Sequence, residues 1–265
     1  MSTTKGAPEF GAIEVSVDGA VGELVLNRPE KLNALSGQLL NELIVASSYF
    51  TDQAEVKVVV VRGAGRAFSA GADLAGFSGA DGDGSEEARL EAADLGRRMA
   101  DALTDTRPMT IARIHGYCVG GGMVVAAACD LRVAAEDTRF SIPEVDLGIP
   151  LAWGGIPRLV REIGPVATKE LVLTCREFGA AEARELGFLN RVVDPQALEE
   201  EVAALAARLA GQPSYSLELT KRHVNEVAEE SGSTAGSIED AKALAGALSD
   251  PESLARMSAY LTGRG

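Results

Sequence analysis

Two clusters of glycine and one glutamate set among apolar neighbours are the residues of this chain whose types and spacing can do chemistry. In the stretch Arg113 to Asp130, Gly120, Gly121 and Gly122 precede a small, uncharged segment, Met123 to Cys129. That segment reads as a buried helix, which places the triplet where a strand turns into a helix. The first N–H groups of a helix lack intrahelical partners, and the helix dipole makes that end positive. Glycine there admits close approach of another molecule, so the place suits an oxygen that develops negative charge. A tight strand-to-helix turn packed under a neighbour explains the triplet equally well. Glu144 lies between Ile142, Pro143 and Val145, where loss of water would raise its pKa into the range useful for proton transfer. Its alternative is a surface loop acid or a salt-bridge partner.

The second glycine cluster follows a valine run, Val56 and Val58 to Val61, which reads as a buried strand entering a loop. The loop runs Arg62-Gly63-Ala64-Gly65-Arg66-Ala67-Phe68-Ser69-Ala70-Gly71-Ala72-Asp73-Leu74. Ala67 to Leu74, followed by the run from His115 to Gly122, resembles the enoyl-CoA hydratase/isomerase (crotonase) family. Asn27 to Leu35 (Asn-Arg-Pro-Glu-Lys-Leu-Asn-Ala-Leu) and Pro143 to Pro150 (Pro-Glu-Val-Asp-Leu-Gly-Ile-Pro) resemble two further signatures of that family. The four motifs stand in order between residues 27 and 150, and the remainder has the family's length and helical tail.

The resemblance implies an α/β fold, a crotonase-like spiral of ββα units with a helical C-terminal region. Residues 1–195 would form the core with the coenzyme A site and oxyanion hole. Residues 196–265 would cap it and build a homotrimer, or a hexamer as a dimer of trimers. It also implies that the N–H groups of Ala72 and Gly121 are the two oxyanion donors, which need only small side chains around them. Hydratases of the family carry two glutamates, and the matching positions here are Val124 and Glu144. One carboxylate over a stabilised enolate suffices to carry a proton from C2 to C4, so the favoured activity is isomerisation of a 3-enoyl thioester to a 2-enoyl thioester. The alternatives are a one-glutamate 2-enoyl-CoA hydratase, with a poorly positioned water, or an acyl-CoA-binding protein that has lost turnover. Trp153, with Gly154 and Gly155, adds bulk where a two-glutamate enzyme holds its water.

For substrate and coenzyme A, the matching positions are Arg28, Lys31, Ala34, Ala70, Asp73, Leu74, Val124 and Trp153. Ala75 stands where the family often has a lysine, which removes one phosphate contact. Lys221, Arg222 or Arg264 of a neighbouring subunit could replace it; otherwise these are ordinary solvated side chains. Coenzyme A enters as part of an acyl-CoA substrate, with no separate cofactor and no metal.

The elements that must position these residues follow from pattern. Ile13 to Val17 and Glu23 to Asn27 read as strands joined at Asp18-Gly19. Gln38 to Phe50 reads as a helix with Ser36 as N-cap, and Glu86 to Thr104 as another. Met109 to Ile114, Leu131 to Ala134 and Arg139 to Ile142 read as strands, Gly148 to Pro157 as a loop, and Arg158 onward as helix. Strand, strand and helix in repetition imply a layered α/β core. Beyond Pro195 four helices are expected: Gln196 to Ala210, Ser214 to Glu229, Ile238 to Leu248 and Pro251 to Thr262. Gly76 to Ser85 reads as a glycine-rich mobile loop, and its Asp81 and Asp83 lack calcium-loop spacing.

Composition closes off other classes. The 265 residues are 46% hydrophobic with a formal charge of −14, enough for a large core and unsuited to nucleic acid. Cys118, Cys129 and Cys175 have neither metal spacing nor an even count and fit a reducing compartment. With no apolar leader and no spanning run, the expectation is a soluble cytoplasmic protein without membrane contact. The run from Gly63 to Phe68 lacks the third glycine of a dinucleotide fingerprint, and Ser69 lacks the flanking glycines of a nucleophile elbow. His115, at a strand end, reads as a hydrogen-bonded structural histidine, and His223 has no partner motif.

Overall fold

The computed structural model describes residues 8–73 and 85–263. Leu74, Ala75, the loop acids Asp81 and Asp83, and Arg264 lie outside the described residues. The chain opens with a hairpin, β1 (Ile13–Asp18) and β2 (Val21–Leu26), paired antiparallel from Ile13 opposite Leu26 to Asp18 opposite Val21. Helix α1 (Gly37–Asp52) follows, with the Ser36 hydroxyl accepting from the Leu39 N–H at 3.3 Å as N-cap. Then come β3 (Val58–Gly63), α2 (Glu86–Thr104), β4 (Met109–Ile114), β5 (Tyr117–Val119), α3 (Gly121–Ala128), β6 (Leu131–Ala135), β7 (Arg139–Ser141) and α4 (Gly155–Thr174). The chain finishes with β8 (Phe178–Gly179), α5 (Ala180–Glu185), β9 (Arg191–Val193) and the helices α6 (Leu198–Ala210), α7 (Ser214–Ser231), α8 (Asp240–Ala247) and α9 (Pro251–Thr262).

Strands β1-β2-β3-β4-β6-β9 form one sheet, parallel from β2 onward, and β5-β7-β8 a second, smaller one. Successive turns place one strand in each sheet and then a helix: β4, β5, α3, and after them β6, β7, α4. The segment after β3 does the same in reduced form, since Ser69 bridges Cys118 of β5. This is the expected spiral of ββα units.

The valine run of β3 is buried on both faces, which is why it does not alternate. Val59 and Val61 join the inner core with Leu39, Leu43, Phe50 and Met99, while Val58 and Val60 meet Ile111, Val133 and the α6 residues Leu198 and Val202. Helix α6 thus covers the outer face of the sheet. Helix α4 begins at Gly155, earlier than the sequence pattern suggests, and breaks at Gly164 (φ 74°) ahead of Pro165. The short elements β5, β8, α5 and β9 carry too few residues to show a period.

Lys221 corrects an expectation. It is neither solvated nor available to a neighbouring subunit: its ammonium is buried, donating to Asp130 Oδ2 at 2.8 Å and to the Pro108 carbonyl at 3.0 Å. Asp130 also accepts from the N–H and hydroxyl of Thr110, so this pair fastens α7 to the start of β4. Arg222 is exposed beside Glu226. Removing one partner of a buried pair leaves the other charge uncompensated, so Lys221→Met should lower unfolding free energy by about 3 kcal/mol. The double variant with Asp130→Asn should recover much of that loss in urea titrations.

Candidate active site

The first and second motifs build one turn between them. Asn33, held at φ 56° and fully buried, donates to the carbonyls of Ala64 and Ala67 at 2.8 Å each and accepts from the Arg28 N–H at 2.9 Å. Ser69 Oγ donates to the Asn33 carbonyl at 2.9 Å, and its main chain pairs with Tyr117 and Val119 of β5. Leu35 then donates to the Gly71 carbonyl at 2.8 Å and accepts from the Asp73 N–H at 3.1 Å. That ladder steps over Ala72, whose N–H finds no acceptor among the described residues.

The Gly120–Gly122 turn lies directly against this loop. Gly71 sits at φ 90°, and a Cβ there would stand 2.7 Å from the Val119 carbonyl and 3.4 Å from the Gly121 nitrogen. The Gly121 N–H opens α3 and likewise has no acceptor among the described residues; the helix end adds its partial positive charge. Two of the three glycines are required by close approach. At Gly120 (φ 51°) a side chain would strike the carboxyl of Glu144, and at Gly121 it would come within 2.5 Å of Trp153 Cζ3.

Glu144 begins a turn in which the N–H groups of Leu147 and Ile149 both return to its carbonyl, at 3.0 and 2.9 Å. The residue is 9% exposed, and among the described residues its Oε2 has no hydrogen-bond partner. Burial pushes its pKa up from 4.5 to about 7, opposed only by its own backbone N–H. Ala72, Gly121, Val124, Glu144 and Trp153 line a single cavity, about 310 Å³ including its open mouth, with Ile149 to Ala152 and Leu244 completing the wall. Among the described residues Glu144 is the only ionisable side chain of that lining, and Val124 occupies the position that the resemblance gives to the first of a hydratase's two glutamates.

Of the other sequence-derived positions that are described, Arg28, Lys31, Ala34, Ala70 and Asp73 are not part of the cavity lining. Arg28 is committed within the chain, donating to the Ala34 carbonyl at 2.6 Å and to Asp73 Oδ2 at 2.9 Å; it ties the first motif to the Ala72 loop. Lys31 is exposed at the end of a 3-10 turn, and the Ala70 N–H is taken by the Leu32 carbonyl. His115 is structural, its Nε2 2.9 Å from the Gly65 carbonyl and its pKa lowered by burial. Among the described residues no cluster of His, Cys, Asp or Glu is arranged to hold a metal, and no helix is long and apolar enough to cross a membrane. Sequence reasoning missed Leu244, which arrives on α8, and Asp240, which accepts from the Gly154 N–H at 2.8 Å. No local pattern marks either; only the fold brings α8 to this loop.

Known proteins share both the sequence and this architecture. The enoyl-CoA hydratase/isomerase family model matches residues 16–261. A crotonyl-CoA hydratase of Syntrophomonas wolfei is 35% identical over 243 residues, 91% of each chain. A peroxisomal Delta(3,5)-Delta(2,4)-dienoyl-CoA isomerase of Arabidopsis thaliana is 35% identical over 219 residues, 79% of this chain and 78% of its own. The crystal structure of an enoyl-CoA hydratase/isomerase from Mycobacterium paratuberculosis superposes with a TM-score of 0.84 at 28% identity, covering 95% of this chain and 99% of that one. With the fold, four ordered motifs and near-complete coverage in agreement, the chain belongs to the enoyl-CoA hydratase/isomerase family of the crotonase superfamily.

Proposed function

We propose that this enzyme moves the double bond of an enoyl-CoA thioester from the 3 to the 2 position, with Glu144 as its single acid and base. The observation that carries this reading is the composition of the cavity among the described residues: one buried carboxyl, two main-chain N–H donors without an acceptor, and otherwise apolar wall. The thioester oxygen sits between the N–H groups of Ala72 and Gly121. Glu144 as carboxylate takes the proton from C2, and the electron pair spreads onto the oxygen that these donors hold. A single donor of this kind typically lowers the barrier by about 3 kcal/mol. The protonated Glu144 then returns the same proton at C4, leaving the double bond conjugated with the carbonyl. Coenzyme A enters as part of the substrate, and no further cofactor takes part. Assembly into a trimer or a hexamer belongs to the same reading, supported by exposed apolar side chains such as Val166 on α4 and Tyr215, Val224 and Val227 on α7.

Hydration of a 2-enoyl thioester is the second reading, favoured by the likeness to a crotonyl-CoA hydratase. Val124 weighs against it, because adding water across the bond asks for a second polar group to hold that water. Supplying 3-enoyl-CoA and 2-enoyl-CoA separately, and following conjugated product against 3-hydroxyacyl product, distinguishes the two. Isomerisation should exceed hydration; the opposite ratio overturns the reading. Val124→Glu should raise hydration relative to isomerisation.

Glu144→Gln should lower kcat by about a thousand-fold, within the usual range for loss of a general base. Because the base must be ionised, kcat/KM should rise with pH and reach half its plateau near pH 7. Stability moves the opposite way. The folded state holds the Glu144 proton up to about pH 7 and the unfolded chain only to about 4.5, so unfolding becomes easier as pH climbs through that window. Relative to Glu144→Gln, the native protein should lose about 3 kcal/mol between those limits in paired denaturant titrations.

A further inference from the structure

We propose that Trp153 sets the length of acyl chain this enzyme accepts, admitting short acyl thioesters and excluding long ones, with Asp240 of α8 as the residue that positions it. The inference rests on the acyl-CoA site proposed above and adds the substrate class.

Trp153 and Leu244 both belong to the wall of the Glu144 cavity. The empty space beside it is small, about 310 Å³ only when the open solvent at its mouth is counted. A short acyl tail fits such a space; a long one needs that wall to open. Among the described residues the Trp153 turn is held from several directions. The indole packs across Gly96 of α2 and Gly121 of α3, where any side chain on either glycine would run into the ring. Trp153 and Gly154 both hold left-handed backbone, at φ 62° and 67°, a conformation that persists in a non-glycine residue only when its surroundings enforce it. The enforcement is visible: the Gly154 N–H donates to Asp240 Oδ2, and the Gly154 carbonyl accepts from Arg158 Nη1 at 3.2 Å. Arg158 is itself buried and held by Asp101 of α2 at 2.8 Å. Leu244, one turn along α8 from Asp240, is 2% exposed and backs the same wall. Rotation of the indole alone therefore does not lengthen the pocket.

The test measures binding of saturated acyl-CoAs, which cannot isomerise or hydrate, by titration calorimetry on the intact protein. Longer chains normally bind more tightly because each added methylene leaves water, so preference for a short chain is diagnostic. Butyryl-CoA should bind at least about tenfold more tightly than decanoyl-CoA, and Trp153→Ala should reverse that order. Trp153→Leu, which keeps an apolar contact on Gly96, replaces the alanine variant where that one does not fold. Asp240→Ala should shrink the discrimination, and Asp240→Asn, which retains a carbonyl oxygen for the Gly154 N–H, should restore it. Decanoyl-CoA binding as tightly as butyryl-CoA to the native protein, or a folded Trp153 variant with an unchanged ratio, overturns the assignment. Failure of both acyl-CoAs to bind overturns the acyl-CoA site itself, and that outcome is distinct from binding without discrimination.

Discussion

A buried carboxyl group with one oxygen left unpartnered is the constraint on which the rest of the site depends. Among the described residues Glu144 Oε2 has no hydrogen bond and no cation beside it, and the walls around it are apolar. Ionising such a group is costly, which is the physical origin of its raised pKa. The carboxyl stays in place because its backbone cannot leave: the turn from Pro143 to Ile149 closes on the Glu144 carbonyl through two N–H groups. What must then yield is the surface opposite. Gly120 and Gly121 carry no side chain because the carboxyl and the indole already occupy that space. In the sequence the triplet reads either as a place of close approach for another molecule or as a tight turn packed under a neighbour, and in the fold two of its glycines lie packed against the carboxyl and the indole.

The first motif, Asn27 to Leu35, acts at one remove from the cavity. Its Asn33 holds the second loop by its side-chain amide and its Leu35 by main-chain hydrogen bonds, and its Arg28 reaches Asp73 and Ala34. The consequence is specific. Leu35 consumes the Gly71 carbonyl and the Asp73 N–H and leaves the intervening Ala72 N–H without an acceptor among the described residues, so a donor is created by the register of a single bridge. Arg28 and Asp73, both named by the resemblance as coenzyme A positions, form an ion pair that helps keep that register.

Much of this was legible because the relevant signals are local. Helix α2 spans Glu86–Thr104 as its pattern indicates, and the valine run marks β3 because burial on both faces leaves no polar position to confuse the period. Glu144 stood out because its neighbours are apolar, and the structure brings it to the same cavity as Ala72, Gly121, Val124 and Trp153. What escaped is non-local. Strands β5 and β9 have three residues each and owe their conformation to the strands they join. Lys221 looked like any surface lysine on an amphipathic helix, since nothing near it in sequence announces that Asp130 waits in the core. Leu244 and Asp240 belong to a tail whose composition says only that it needs a surface to cover.

That tail is part of the cavity and not an appendage to it. Helix α6 seals the outer face of the sheet, and Lys221 anchors α7 beneath β4. Helix α8 pins the Trp153 turn through Asp240, while α9 grips the Glu144 turn, its Arg256 donating to Asp146 at 2.5 Å and its Ser253 carbonyl lying against Gly148. Both turns that carry the acid and Trp153 are therefore clamped by the last thirty or so residues. Since the raised pKa of Glu144 comes from exclusion of water, loosening either clamp admits water and returns the carboxyl toward its ordinary value. Proton affinity at the centre of the site and packing of the C-terminal helices are two expressions of one closure, which is why a chain built around a glycine turn needs its distant tail to do chemistry.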